Sequence, residues 1–197
     1  MLLIDNQITP SFFEESTVKI AKNLLGVELI YNGKQGPMGG IITETEAYTQ
    51  NDPACHAYGG KVTLRNEPMF LEAGHIYIYF IYGMYHCLNF VTEKKGIGAA
   101  VLIREIIPTI GLKQIKINRP HIKKQSDWLN GPGKLMLGLG IPTELNKTSL
   151  FDSETPLKLS KKYSPKMIRK LPRIGISKGQ EKLWRFRYEE KNSLSKH

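Results

Sequence analysis

Apolar positions recur along the chain with two different periods, and the change from one to the other divides it into elements. In "STVKIAKNLLG", residues 16–26, Val18, Ala21, Leu24 and Leu25 fall on one helical face behind residues suited to capping, and Gly26 offers a stop. This predicts an N-terminal helix. The segments "VELIYN", "GGIITETEAY", "HIYIYFIY", "YHCLNFVT" and "AAVLIREI" are instead rich in β-branched and aromatic residues and are divided by Gly-containing turns, the pattern of a mainly antiparallel sheet. "IGLKQIKINR" and "GPGKLMLGLGI" each open a further helix, while "LKLS", "RIGIS" and "LWRFRY" read as later strands. Between "TETEAY" and "HIYIYF" lies "TQNDPACHAYGGKVTLRNEP", whose turn formers and few periodic apolar positions make a long loop; loops of that length are often functional.

These elements predict one α+β domain over residues 1–197, built on a curved, mainly antiparallel sheet with peripheral helices. The patterns do not fix the strand order. No internal repeat or low-complexity tract interrupts them.

Charge narrows the partners. Lys plus Arg number 28 against 18 for Asp plus Glu, a net charge of +10 that favours polyanions such as nucleic acid or an anionic membrane, unless it serves only solubility. Basic residues cluster in "HIKKQ", "KLSKKYSPKMIRK" and the closing "EEKNSLSKH", whose last few residues read as disordered. No apolar run approaches the roughly 20 residues that cross a bilayer. The N-terminus carries Asp5 and Glu14 without a basic n-region and a signal-type apolar core. A soluble, intracellular, cytoplasmic protein with no membrane partner is expected, nucleoid-associated if the source is a prokaryote. Cys55 and Cys87 are too few for a disulfide framework and lack zinc spacing. Each adjoins a histidine, but neighbours on an extended segment point to opposite faces and make poor joint ligands, so no metal site is expected.

Two stretches carry candidate chemistry. On a regular strand, "GGIITETEAY" places Ile42, Glu44, Glu46 and Tyr48 on one face and Ile41, Thr43, Thr45 and Ala47 on the other. Two carboxylates two positions apart are costly if both are buried, so one is expected to be solvated or paired and the other free for chemistry. In a cleft built for phosphates a retained carboxylate opposes binding, which points to a catalytic purpose; two ordinary exposed glutamates are the alternative. In "YFIYGMYHCLNF", residues 79–90, Tyr77 and Tyr79 share a strand face, and "YGMY" presents Tyr82, Met84 and Tyr85 near a hairpin tip. Such a tip suits insertion between base steps at the DNA minor groove, although a tyrosine-rich sheet face packed under another element has the same composition.

Taken in order, "ETEAY", "ACHAYGG", "TLRNEPMF", "IYIYFIYGMYHCLN", "AVLIREIIP", "GPGKL" and "RIGIS" resemble the alkyladenine (3-methyladenine) DNA glycosylase family of base-excision repair, over roughly residues 10–188. The resemblance implies a monofunctional hydrolase that flips alkylated or deaminated purines out of duplex DNA and leaves an abasic site. It needs no metal or organic cofactor, and no lysine in the motifs is placed to form a Schiff base. The implied general base is Glu46. Arg104 matches the arginine that helps position the water, with an ordinary ion pair to Glu44 or Glu105 as its alternative role, and a main-chain carbonyl near Ile176 is the third contact.

The implied base pocket has Tyr48 on one side and His56 with Tyr79 on the other. His56 offers a backbone N–H to position 6 of the purine, and Asn89 crowds the 2-amino group of guanine. Tyr82 matches the residue that fills the duplex after extrusion, with Met84 and Tyr85 beside it in the groove. The implied partner is double-stranded DNA containing damaged purines, bound by a monomer. The competing reading is a non-catalytic module for damaged or structured nucleic acid, which the charge and the aromatic tip alone would serve.

Overall fold

The computed structural model describes residues 8–165 and 167–188; the closing "EEKNSLSKH" lies outside the described residues. Eight strands and three α-helices are found among them. The strands are β1 Val27–Gly33, β2 Gly36–Tyr48, β3 Ile76–Ile81, β4 Tyr85–Val91, β5 Ala100–Ile110, β6 Leu157–Lys161, β7 Ile168–Leu171 and β8 Arg185–Tyr188. The helices are α1 Thr17–Asn23, α2 Leu112–Asn118 and α3 Pro132–Leu139. Every strand pairing is antiparallel, in the order β3-β4-β5-β2-β1-β6, and β8 joins both β2 and β7. This is the α+β architecture with an antiparallel sheet that the periodicity predicts.

Alternation along the strands separates a dry face from a cleft face. Ile76 and Ile78 of β3, Leu88 and Phe90 of β4, and Val101 and Ile103 of β5 enter the main core with Ile20, Ala21 and Leu24 of the α1 segment and Leu135, Met136 and Leu139 of α3. The opposite positions of the same strands, Tyr77, Tyr79, Cys87, Asn89, Ala100, Leu102 and Arg104, face a cavity. The helices therefore back the sheet and leave its other side open for function.

Two expectations need correction. Ile42 does not share a face with Glu44: it is buried in the main core with Ala47, whereas Glu44 lies in an ion-pair cluster on the other side. The cause is a pair of register shifts in the β2–β5 ladder, which runs Ile42 to Ile106, Glu44 to Glu105 and Thr45 to Ile103, leaving Thr43 and Arg104 unmatched. A residue added to one strand inverts the facing of all that follow, which simple alternation cannot register. The second correction concerns "RIGIS". It is a bent loop with Gly175 at φ +77°, and the strand falls earlier, on β7.

Close backbone approach explains the glycine pair at the middle of β2. A Cβ at Gly39 would lie 2.1 Å from the Leu29 carbonyl oxygen, and one at Gly40 would lie 1.9 Å from that of Ile107. Among the described residues no helix is long and apolar enough to cross a membrane.

Candidate active site

The cleft face of β2, β3, β4 and β5 is the floor of a cavity of about 550 Å³. Its walls come from three irregular segments: Pro53, Ala54 and His56 of the long loop, Gly131–Lys134 at the start of α3, and Ile174–Lys178. The volume falls within the roughly 300–1,000 Å³ of small-molecule sites. The long loop is held by its own small core, in which Cys55, Ala57 and Met69 pack with Tyr77, and Tyr48 and Tyr79 border it. Asn66 fastens the loop further, its Nδ2 donating to the His56 and Lys61 carbonyls at 2.7 and 2.9 Å.

Glu46 is wholly buried, and three donors converge on its carboxylate. The Tyr48 hydroxyl donates to Oε2 at 2.8 Å, Arg104 Nη1 donates to Oε2 at 3.2 Å, and the Ile174 backbone N–H donates to Oε1 at 2.9 Å. All three donor residues line the cavity, so the acid sits directly behind its surface. A buried carboxylate is tolerable only when paired and hydrogen-bonded, and this one is both.

Glu44 is also buried rather than solvated, because arginines gather round it. Arg104 Nε and Arg185 Nη1 donate to Oε1 at 3.2 and 2.9 Å, and Arg187 Nε lies 3.9 Å from Oε2. Arg104 thus bridges the two glutamates, which places the ion pair considered for it on Glu44 and sets the same guanidinium on Glu46. The register shift makes this possible: Arg104 is the β5 residue left unmatched between Glu105 and Ile103, and bulges of this kind re-aim a side chain. Burial pushes the Glu105 carboxyl up against the opposing pull of Arg187, with Glu44 adding to the rise.

The aromatic residues form a graded wall. His56 meets Tyr79 edge-on with ring centroids 4.7 Å apart, and its Nδ1 is 2.9 Å from the Tyr77 hydroxyl. His56 is an exposed residue of the loop, yet desolvation of its ring against the tyrosines, reinforced by the Arg65 guanidinium, lowers its pKa to about 4. The imidazole is therefore neutral at pH 7. Burial, and then the Glu46 carboxylate, raise the Tyr48 phenol far above its ordinary value, so Tyr48 remains a donor. Burial likewise raises Tyr79. Asn89 is buried on the floor, and its Nδ2 donates to the Tyr77 and Cys87 carbonyls at 3.0 and 3.1 Å. Two carbonyl acceptors fix which end of the amide is nitrogen.

At the β3–β4 hairpin, Tyr82 and Gly83 have φ of +54° and +68°, the twist of a primed hairpin turn. This lifts Tyr82 to 75% exposure and Met84 to 62%. A Cβ at Gly175 would lie 3.1 Å from the Tyr82 hydroxyl, so the tip and the 174–178 loop face each other across the cavity mouth. Tyr85 is more enclosed, its ring against Gly133, where an added Cβ would come within 2.9 Å.

Glu46, Arg104, Tyr48, His56, Tyr79, Asn89, Ile176, Tyr82 and Tyr85 are brought to one cavity, directly or, for Glu46, through the donors that hold it. Met84 stands outside its lining, exposed at the tip. Ile176 lines the wall, but its carbonyl accepts from Gln180 Nε2 at 2.8 Å; the residue of this loop that touches Glu46 is Ile174. Sequence reasoning did not find Ile174, nor the buried Asp52–Arg173 pair behind Tyr48. Neither carries a local signal, because each contact joins segments more than a hundred positions apart.

A protein of Bacillus cereus (strain AH187) named "Putative 3-methyladenine DNA glycosylase" is 40% identical over 203 residues, covering 96% of this chain and 99% of its own. A protein of the same name from Bacillus thuringiensis (strain Al Hakam) is 41% identical over 206 residues, with the same coverage. The family model described as methylpurine-DNA glycosylase matches residues 11–192. With the match running nearly end to end and taking in the whole cavity, the chain belongs to the methylpurine-DNA glycosylase family.

Proposed function

We propose that the protein is a monofunctional DNA glycosylase that flips alkylated or deaminated purines out of duplex DNA and hydrolyses the N-glycosidic bond. The observation that carries this reading is the Glu46 carboxylate, buried and triply hydrogen-bonded immediately behind an aromatic cavity large enough for a purine. A module that only binds nucleic acid has no use for a buried acid at that place.

In the reaction, a purine enters the cavity between Tyr48 and the His56–Tyr79 pair. Stacking on such rings contributes roughly 1–3 kcal/mol per base and tolerates many ring types. Asn89 crowds the position that bears the 2-amino group in guanine. Tyr82, flanked by Met84 and Tyr85, occupies the space left in the duplex, and the unstacking cost of a few kcal/mol is least for a damaged or mispaired base. Glu46 then accepts a proton from water as the water oxygen bonds to C1′ and the C1′–N bond breaks. The carboxylate charge also stabilises the oxocarbenium character of the sugar, while Arg104 and the Ile174 main chain hold the carboxylate and its water. A purine alkylated at N3 or N7 carries positive charge while attached and departs as the neutral base, whereas a deaminated purine such as hypoxanthine, neutral while attached, departs as its anion and takes its proton from solvent. In this reading neither lysine of the cavity lining, Lys134 (held on Asn130 Oδ1 at 2.7 Å) nor Lys178, attacks C1′, so an abasic site remains and the strand stays intact.

The test is a single-turnover assay on duplexes containing hypoxanthine and on methylated DNA, with free base quantified by chromatography. Release of base with strand scission only after alkali is the expected result. Tight binding of lesion DNA with no free base would replace this reading with that of a binding module, and scission without alkali would remove the monofunctional assignment.

A further inference from the structure

The mechanism above leaves one buried ion pair without a task. Asp52, in the long loop, and Arg173, two residues past the end of β7, are 121 positions apart and both side chains are completely shielded from solvent. The two terminal nitrogens of Arg173 each donate to one Asp52 oxygen, Nη2 at 3.1 Å. Nη1 also donates to the Ala47 carbonyl at 2.9 Å and Nη2 to the Gly179 carbonyl at 3.1 Å. Lys182 Nζ lies 3.6 Å from the same carboxylate. Burying both charges is expensive, and apolar residues of similar volume often serve stability as well, so the pair calls for another reason.

Its contacts supply one. Ala47 is the residue between Glu46 and Tyr48, so Arg173 grips the peptide that joins the proposed base to the proposed stacking platform. The Arg173 guanidinium carbon lies 4.7 Å from the centroid of the Tyr48 ring, and Trp184 closes over the same guanidinium at 5.5 Å. Tyr48 and Ile174 line the cavity whereas Arg173 does not, so the cation braces the ring from behind. The residue after Arg173 is Ile174, whose N–H binds Glu46 Oε1. One side chain is thus fastened to the strand bearing Glu46, to the ring of Tyr48, and through the main chain to the donor on Glu46.

We propose that Arg173, locked by Asp52, is a positioning residue that sets Glu46 and Tyr48 relative to each other. The proposal rests on the glycosylase reading, since it assigns a task within that reaction. The fork geometry is essential: lysine keeps the charge but cannot span two carboxylate oxygens and two carbonyls in one plane. Misplacement of a reacting group by about 1 Å can cost on the order of 100-fold in rate.

The experiment compares the unsubstituted protein with Arg173→Lys, Asp52→Asn and Gly179→Ala. The last acts from outside the cavity, since a Cβ there would fall 2.7 Å from Asp52 Oδ1. Three quantities are measured: the single-turnover rate of base release and the affinity for the same lesion duplex, both at one fixed temperature, and the thermal midpoint from a melting scan. The expected result is a rate lowered about 10- to 100-fold in the variants that remain folded, with lesion affinity changed less than about threefold. A merely structural pair would lower the midpoint and leave the rate of the folded protein unchanged, which overturns the proposal. So would loss of folding in all three variants. If the unsubstituted protein releases no base, the glycosylase reading fails and this assignment with it; if it does while the variants match its rate, only the positioning role is lost.

Discussion

The Ile174 backbone N–H donates to Glu46 Oε1 at 2.9 Å across 128 positions of the chain. The acid comes from a strand whose other face is core, and its donor comes from a loop that strand pairing does not constrain. The site therefore forms only when the loop closes against the finished sheet, and its chemistry can be perturbed from either side.

The most direct consequence concerns the acid. Glu46→Gln keeps the shape of the side chain and removes the acceptor that the proposed reaction requires for the water proton. Lesion-duplex affinity should stay within a few fold of the original while single-turnover release falls by about 10² to 10⁴-fold, the usual contribution of general-base assistance. Parallel titration and rate measurements on one hypoxanthine duplex check both halves, and normal release by the variant would defeat the assignment.

In the proposed reaction Tyr48 serves two purposes that one substitution can separate. Tyr48→Phe retains the stacking ring and deletes the hydroxyl that donates to Glu46 Oε2 at 2.8 Å. A hydrogen bond to a charged group contributes about 1.5–3 kcal/mol. Release should therefore slow by roughly 10- to 100-fold with little change in lesion affinity, whereas Tyr48→Ala should weaken both. Equal effects of the two substitutions would mean that the hydroxyl is idle.

Much of this site was legible because its parts are local. The shared face of Tyr77 and Tyr79, the turn near Tyr82 and Gly83, and the shared face of Glu46 and Tyr48 follow from alternation and turn chemistry within a few residues, whereas His56, Asn89 and Arg104 were placed at the site by the family resemblance. What could not be read depends on register and on distant closure. The inverted facing of Ile42 comes from residues left unmatched in the β2–β5 ladder, which no count of apolar positions reveals. "RIGIS" alternates like a strand, yet its alternation has another cause: Arg173 turns inward to Asp52 while Ile174 stays at the cavity edge. Local propensity yielded there to a buried ion pair formed with the other half of the chain.

The hairpin tip makes a different prediction, about DNA rather than chemistry. Tyr82 is three-quarters exposed, and its role in the proposed reaction is to hold the duplex open after extrusion. Tyr82→Ala should lower affinity and release on a paired lesion by about tenfold or more, and do so much less on a lesion already looped out, for which unstacking has been prepaid. Comparing the two duplexes at one salt concentration is sufficient. Equal losses on both would show that the ring supports the fold instead.

Acid should weaken the fold through His56. Its ordinary pKa of 6.5 falls to about 4 in the folded protein, through desolvation against the tyrosines and the nearby Arg65. Well above pH 6.5 the ring is neutral in both folded and unfolded chains and stability is unaffected by it. As pH drops from 6.5 toward 4 the unfolded chain takes up a proton that the folded chain refuses, so stability declines across that window. Urea unfolding midpoints at steps between pH 7.5 and 4 should thus fall more steeply for the unsubstituted protein than for His56→Gln, which has nothing to protonate there. Parallel curves for the two proteins would show that the imidazole is as free to protonate in the folded state as in the unfolded one, and that its packing against Tyr77 and Tyr79 is loose in solution.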